Sequence, residues 1–251
     1  MNRELNLKPP LFEVGPKAYM WGPPVLELAV RADELSRVYD VQIIFDPQYT
    51  DIPVISSRTQ HLLVFAQHMD SLRRGRGMGS VLPEALKTAG AVGVILNHFE
   101  RRLTADEVQR TMQRAEEVGL ATMVCTDNVE QAVAVAQLRP DIVVVESPEL
   151  IAAGAGHDTT PSVVAAANAA IWNADPDIVV IRGAGIGNAQ DVYEVIASGS
   201  QGTGSSSALF NADDPFEMLE RMIRATREAW DATHGKPDIG VSATAHRPLA
   251  S

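Results

Sequence analysis

Three side chains that can hold or transfer a proton follow short apolar runs of the sequence: Lys17, His98 and Glu146. Two glycine-rich stretches, 183–187 and 202–207, follow later apolar runs in the same way. If the runs are parallel strands, their C-terminal ends meet at one edge and bring these residues together. Glycine allows close backbone approach to a ligand, and N–H groups at helix starts bind anions. The set therefore indicates proton transfer next to a phosphate group.

Each of these residues also has a plainer explanation. Lys17 can be a solvated charge, His98 a hydrogen-bonded structural residue, and Glu146 a cap for the following loop. Glycines after strands are most often turn residues. His68, which with Gln67 follows the third run, fits a structural or interfacial role better than a catalytic one. Convergence of all the parts at one face is what favours catalysis.

The apolar runs are short, rich in Val and Ile, and mostly apolar on both faces, which is typical of buried parallel strands. Seven are clear, and an eighth, around 198–203, is inferred mainly from its position. The seven are 11–14, 41–45, 62–66, 92–96, 121–125, 142–145 and 178–181.

Amphipathic helical patterns lie between the runs, and one begins with a capping box formed by Thr104 and Glu107. The helix after the second run is poorly marked because Pro53 interrupts it. The patterns cover 25–39, 104–118, 129–138, 161–172, 189–197 and 214–230.

The spacing of the runs predicts a closed (β/α)8 barrel. Strand starts recur at roughly 27-residue intervals, about the size of one βα unit. We expect one barrel domain over residues 1–233 and a poorly ordered tail over 234–251, which is rich in Gly, Pro, Ser and Ala. The alternative is an open doubly wound sheet, although no G-x-G-x-x-G follows the first run.

Composition narrows the function class. The net charge of −11 disfavours general binding of nucleic acid or anionic membranes, which need clustered Lys and Arg. The single cysteine, Cys125, excludes an internal disulfide and fits a reducing compartment. No apolar run approaches the ~18 residues of a membrane span, and the N-terminus lacks the apolar core of a signal peptide. His and Cys show no metal-ligand spacing. We expect a cytoplasmic enzyme without a metal.

Several longer stretches form a specific pattern when taken together. The sequence resembles the triosephosphate isomerase family, in particular its archaeal branch, from about residue 12 to residue 215. The stretches that carry the resemblance include Phe65-Ala66-Gln67-His68, Leu96-Asn97-His98, Glu146-Ser147-Pro148-Glu149-Leu150-Ile151 and Gly183-Ala184-Gly185-Ile186.

The resemblance implies roles for the candidate residues. Glu146 matches the catalytic base, His98 a neutral electrophile whose pKa is depressed by a helix N-terminus, Lys17 the cation that stabilises the oxyanion, and Glu100 its partner. The loop 147–156 would close as a lid, and no metal or organic cofactor is required. The implied phosphate contacts are Ala152, Gly183, Gly185, Gly187, Gly204, Ser205, Ser206 and Ser207.

The sequence departs from the family pattern close to the chemistry. Gly15 replaces the family's first-strand Asn, which removes a side-chain amide near the substrate, and Pro16 replaces the Phe that follows it. Phe99 replaces the Ser after the histidine, and Ser147 replaces the Pro after the base. Ala152-Ala153 replaces Gly-Thr in the lid, Gly187 replaces a Ser, and the stretch 204–208 is smaller and more polar than usual. The large-to-small changes in the stretch 204–208 would leave room for a longer or more hydroxylated substrate.

The predicted function is a cofactor-independent aldose–ketose isomerase that interconverts D-glyceraldehyde 3-phosphate and dihydroxyacetone phosphate, as in glycolysis and gluconeogenesis. The alternatives are an isomerase of a four-carbon sugar phosphate such as erythrulose phosphate, and a non-catalytic phosphometabolite-binding barrel. The resemblance also implies a homo-oligomer, a dimer or tetramer, formed through the loop 70–80. That loop carries Arg73, Arg74 and Arg76, which suit an interface but also a solvated basic turn.

Overall fold

The fold is built on parallel strands in a computed structural model that describes residues 5–146, 161–183 and 185–235. Eight strands are present in these residues, and each pairs with the next as far as the seventh, while the first also pairs with the eighth. They are β1 Leu11–Val14, β2 Gln42–Phe45, β3 Leu63–Ala66, β4 Gly93–Leu96, β5 Ala121–Thr126, β6 Ile142–Val145, β7 Val179–Arg182 and β8 Gly202–Ser205.

Hydrogen bonds at Gln201 and Thr203 join the two ends of this sheet. The backbone N–H of Gln201 donates to the Val180 carbonyl at 3.2 Å, and the Val180 N–H donates to the Gln201 side-chain oxygen at 2.8 Å. The Thr203 hydroxyl donates to the Arg182 carbonyl at 2.8 Å. The strands therefore enclose a nearly closed barrel, so the predicted (β/α)8 fold is confirmed and the open sheet is wrong.

The helices alternate with the strands along the chain. The capping box of Thr104 and Glu107 is present, with the Glu107 N–H donating to the Thr104 hydroxyl. The helices in the described residues are α1 Pro23–Tyr39, α2 Ile52–Arg58, α3 Pro83–Ala89, α4 Ala105–Val118, α5 Val129–Ala136, α6 Pro161–Trp172, α7 Ala189–Ala197, α8 Ser207–Phe210 and α9 Pro215–His234. None of them is long and apolar enough to cross a bilayer.

Several elements differ from the sequence prediction or were only weakly marked in it. Helix α2 is only seven residues long, with Pro53 in its first turn, and the four-residue α8 was not predicted. Helix α9 continues to His234, so the predicted tail begins with a helical residue, and residues 236–251 lie outside the described part of the chain. Strand β8 begins later than the predicted 198–203, because its inward positions are glycines and give no apolar signal.

The barrel interior follows from the alternation of side chains along each strand. Large apolar residues fill its lower part, and the Phe65 ring lies over Gly93, where a Cβ would come within 2.4 Å of it. The members of this inner cluster are Leu11, Ile44, Phe65, Ile95, Ala121, Met123, Cys125, Ile142, Val144, Val179 and Ile181. The next inward positions, two residues on, reach the C-terminal mouth of the barrel.

Candidate active site

One cavity of about 830 Å³ opens at the C-terminal ends of the strands. Six of the eight strands contribute residues to its wall, and β2 and β3 contribute through the residues that follow them directly, Asp46 and Gln67. Lys17, His98, Glu100 and Glu146 all line it. The candidate residues that sequence analysis placed on separate strands therefore share one cavity. Its lining also includes Gly183, Gly185, Gly187, Gly204, Ser205, Ser206 and Ser207, whereas Ala152 and the predicted lid, 147–156, lie outside the described residues.

Glu146 follows strand β6 directly, and its N–H donates to the Thr126 carbonyl at 2.8 Å, which fixes its backbone. Its side chain packs over Gly183, where a Cβ would lie only 2.2 Å from Oε1. Burial raises the pKa of Glu146 to about 7; the nearby Glu13 adds to the rise and Lys17 opposes it. A carboxylate with a pKa near neutrality is suited to act as a general base.

His98 lies in the turn after β4, and its imidazole is held in one tautomer. The Glu100 N–H donates to Nδ1 at 3.1 Å, so the neutral ring carries its proton on Nε2. Burial, helped by the charge of Lys17, lowers the pKa of His98 to about 4. The expectation of a helix N-terminus behind this shift is wrong: residues 98–101 form a turn, and α4 begins only at Ala105.

Lys17 has a left-handed backbone, with φ of 46°, which is uncommon for a residue with a side chain. Two glutamine amides hold its carbonyl, from Gln48 at 2.5 Å and Gln67 at 3.3 Å. Its ammonium donates to Glu100 at 2.7 Å, as the resemblance implied. Burial opposes ionisation of Glu100, but this ion pair keeps its pKa below the usual value. Gln48, which lies shortly after β2, was not among the residues predicted from the sequence.

The structure changes the expected phosphate contacts. Gly204 and Ser205 belong to strand β8 rather than to the loop after it. The Gly187 N–H already donates to Asp191 at 2.7 Å, and the Ser206 hydroxyl donates to the Gly15 carbonyl at 2.5 Å. The Ser205 hydroxyl is buried and has no hydrogen-bond partner in the described part of the chain.

His68 and the loop after β3 are tied to their own chain. The buried His68 ring lies 3.4 Å from the Asp70 carboxylate, which also accepts from the Val81 N–H at 2.6 Å. Arg73 in this loop pairs with Glu117 of α4 at 2.6 Å. These contacts agree with a structural role for His68.

Two carboxyl groups in the cavity escaped sequence analysis: Glu13 on β1 and Asp46 after β2. Burial raises the pKa of both, and the charge of Glu13 raises that of Asp46 further. Glu13 was missed because candidates were sought after the apolar runs, and it lies within one. A charged residue at an inward position of a buried strand was the available signal. In the described residues no group of three or more His, Cys, Asp or Glu is placed to hold a metal ion.

Comparison with known proteins agrees with this geometry. A family model described as triosephosphate isomerase matches residues 25–225. A triosephosphate isomerase of Methanobacterium bryantii is 38% identical over 80% of this chain and 89% of its own length. That of Sulfolobus acidocaldarius is 35% identical over 90% of this chain and 98% of its own. The crystal structure of triosephosphate isomerase from Bartonella henselae shares the fold, with a TM-score of 0.69 at 18% identity, over 88% of this chain and all of that one. The chain belongs to the triosephosphate isomerase family.

Proposed function

We propose that this protein interconverts D-glyceraldehyde 3-phosphate and dihydroxyacetone phosphate through an enediolate. The observation that carries the proposal is that Glu146 and His98 line one cavity in which burial shifts their pKa values in opposite directions. Glu146 has a pKa raised to about 7, and His98 has one lowered to about 4. At neutral pH the first can take up a proton, and the second is a neutral donor rather than a cation.

The reaction moves one proton between carbons without net oxidation. The Glu146 carboxylate removes a proton from the carbon next to the substrate carbonyl, and the C–H electron pair forms the carbon–carbon double bond. The carbonyl oxygen becomes an oxyanion, which accepts from Nε2–H of His98 and is stabilised by the Lys17 ammonium. A proton passes between the two oxygens, and Glu146 returns its proton to the neighbouring carbon.

The phosphate group fits the β7–β8 side of the cavity. There Gly185 and Ser207 line the wall, and the Ser205 hydroxyl is not used by another described residue. The proposal keeps Ala152 as a further contact and loop 147–156 as the lid, both on the family resemblance alone. The names of the curated relatives support a triose phosphate over a four-carbon substrate, and an enzyme over a non-catalytic barrel.

The test is a coupled assay with both trioses on the wild type and on Glu146→Gln. Loss of the base should lower kcat by about 10²- to 10⁴-fold or more. Binding of a phosphorylated two-carbon acid, which needs no base, should be retained. Glu228→Gln, an exposed carboxylate on α9, serves as the control. No turnover by the wild type, or an unchanged kcat in Glu146→Gln, would contradict the proposal.

The pH dependence of kcat/KM gives a second check. Activity requires ionised Glu146, so kcat/KM should fall as the pH drops through about 7. His98 is neutral throughout this range and should add no second acidic step above its pKa of about 4.

The proposal extends to a homo-oligomer in the cytoplasm. Loop 70–80 would form the interface; Met78 within it is fully exposed. The buried, unpaired thiol of Cys125 suits a reducing compartment. Light scattering on the purified protein measures the number of subunits, and a monomer at micromolar concentration would contradict this part.

A further inference from the structure

The carboxyl group of Glu13 fills space that two neighbouring glycines leave open. A Cβ at Gly15 would lie 2.4 Å from Oε1 of Glu13, and one at Gly204 would lie 2.2 Å from Oε2. Neither position can carry a side chain while Glu13 keeps this place. Glu13 therefore occupies the volume at position 15 in which the family pattern has an amide side chain.

Asp46 supports Glu13 from the neighbouring strand. It is only 4% exposed, whereas Glu13 is partly accessible from the cavity. The two carboxyl groups approach the same point, because a Cβ at Gly15 would lie 2.4 Å from Oε1 of Glu13 and 3.6 Å from Oδ1 of Asp46, and that Asp46 oxygen has no hydrogen-bond partner among the described residues. Two neighbouring carboxyls in a buried site cannot both ionise readily, and Lys17, the cation nearest them, lies against Glu100. Burial raises the pKa of both groups, and repulsion by Glu13 raises that of Asp46 further, which favours a proton shared by the pair.

We propose that Glu13 is a substrate-contacting residue: held by Asp46 in the space beside Gly15, its carboxylate accepts a hydrogen bond from the hydroxyl group of the triose phosphate. The inference rests on the proposed function. It assigns to Glu13 the part of the site that the missing amide would otherwise supply, and to Asp46 the task of holding the shared proton. Glu13 touches the substrate, whereas Asp46 is a positioning residue.

The charge on Glu13 also affects the pKa of the proposed base, Glu146. It raises the pKa of Glu146 from across the barrel, so neutralising Glu13 should lower that pKa. The charged and titratable groups that line the cavity with Glu13 are Lys17 after β1, Asp46 and Tyr49 after β2, His68 after β3, His98, Glu100 and Arg101 after β4, Cys125 on β5, Glu146 after β6 and Arg182 on β7.

The first experiment compares Glu13→Ala with Glu13→Gln. The alanine removes the acceptor, and kcat/KM should fall about 10- to 100-fold, the range for a lost hydrogen bond to a charged group. The glutamine keeps an acceptor oxygen, so it should retain most of the activity. It also removes the charge, and the acidic limb of its kcat/KM profile should move to lower pH.

Asp141→Asn is the matched control. Asp141 is a buried carboxyl just before β6, outside the cavity lining, where it accepts from the Thr122 N–H at 2.8 Å. Its substitution should lower the melting temperature without moving the acidic limb. Infrared spectra in the Glu146→Gln background supply a readout that does not depend on turnover. A protonated carboxyl band at neutral pH should be present there and lost on adding Asp46→Asn.

The second experiment is a double-mutant cycle between positions 13 and 15. Gly15→Asn alone introduces a side chain into the Glu13 carboxyl and should impair the enzyme. Combined with Glu13→Ala, the same amide gains its space, and kcat/KM should recover about tenfold over Glu13→Ala alone. A packing role for Glu13 predicts the same recovery from Gly15→Val in the Glu13→Ala background, whereas a hydrogen-bonding role predicts recovery with the amide only.

The outcomes separate the two proposals. A wild type that turns over neither triose removes the proposed function. An active wild type overturns this inference if Glu13→Ala stays within about twofold of it. The inference also fails if Glu13→Gln is as damaged as Glu13→Ala and its acidic limb is unmoved. Should Glu13→Ala not fold, the pH profile of Glu13→Gln and the infrared band decide alone.

Discussion

The two sides of the barrel mouth are built on different principles. On the β4–β6 side, His98 and Glu146, which match the family's proton-transfer residues by resemblance, are each fixed through a backbone hydrogen bond after a strand. On the β1–β2–β8 side, the family amide is absent, and Gly15 and Gly204 make room for Glu13. In the proposed reaction, groups that transfer protons to and from the substrate depend on a fixed position. A binding contact can instead move to a neighbouring residue if the volume and the hydrogen bond are preserved.

This comparison predicts that the β4–β6 side tolerates substitution least. His98→Gln keeps a neutral donor but cannot pass a proton between the two substrate oxygens, so kcat should fall about 10²- to 10⁴-fold. The coupled assay measures it, and the exposed His61→Gln is the control. A smaller loss in His98→Gln than in Glu13→Ala would reverse the comparison.

Two glycine-to-alanine substitutions, one on each side of the mouth, sharpen the comparison because each adds a single methyl group. In Gly183→Ala the new methyl collides with the Glu146 carboxyl group, because a Cβ at position 183 would lie 2.2 Å from Oε1 of Glu146. The flexible end of that side chain can move, so the fold should survive. Displacing a reacting group by about 1 Å can cost about 10²-fold, and kcat should drop accordingly.

Gly204→Ala is the counterpart on the other side. Its methyl meets the Glu13 carboxyl at 2.2 Å and also the Glu13 carbonyl oxygen at 3.0 Å. Because backbone is involved, we expect a loss of about 1–3 kcal/mol of stability from overpacking. The loss of kcat should be about tenfold, the lower end for one hydrogen bond. If kcat falls by the same factor in Gly183→Ala and Gly204→Ala, the two sides of the mouth do not differ in their tolerance of substitution.

The smallest predicted effect is on stability. Folding raises the pKa of Glu146 from 4.5 to about 7, so the ionised side chain destabilises the native state. Stability should therefore be lost as the pH rises from about 4.5 through about 7. Glu146→Gln removes this penalty and should melt several degrees above the wild type at pH 8. The two proteins should converge near pH 4, as measured by thermal unfolding; Glu228→Gln should show no such divergence.

The sequence determined the fold and the proton-transfer side of the site. Runs rich in Val and Ile repeat at the interval of a βα unit, which predicts parallel strands and favours a barrel over an open sheet, although the contacts of β7 with β8 decide the closure. Residues directly after such runs must then meet at one mouth, which is why Lys17, His98 and Glu146 could be named without coordinates. The position of β8 could not, because glycines at its inward positions erase the apolar pattern.

Only the tertiary structure decided how the other side is occupied. Whether a carboxyl at position 13 fits depends on the absence of side chains at position 15 and at position 204, on a strand nearly two hundred residues away. The tautomer of His98 likewise depends on one N–H of a turn, from Glu100. Periodicity reports which way a side chain points, whereas contacts between strands distant in sequence decide which volume it can fill.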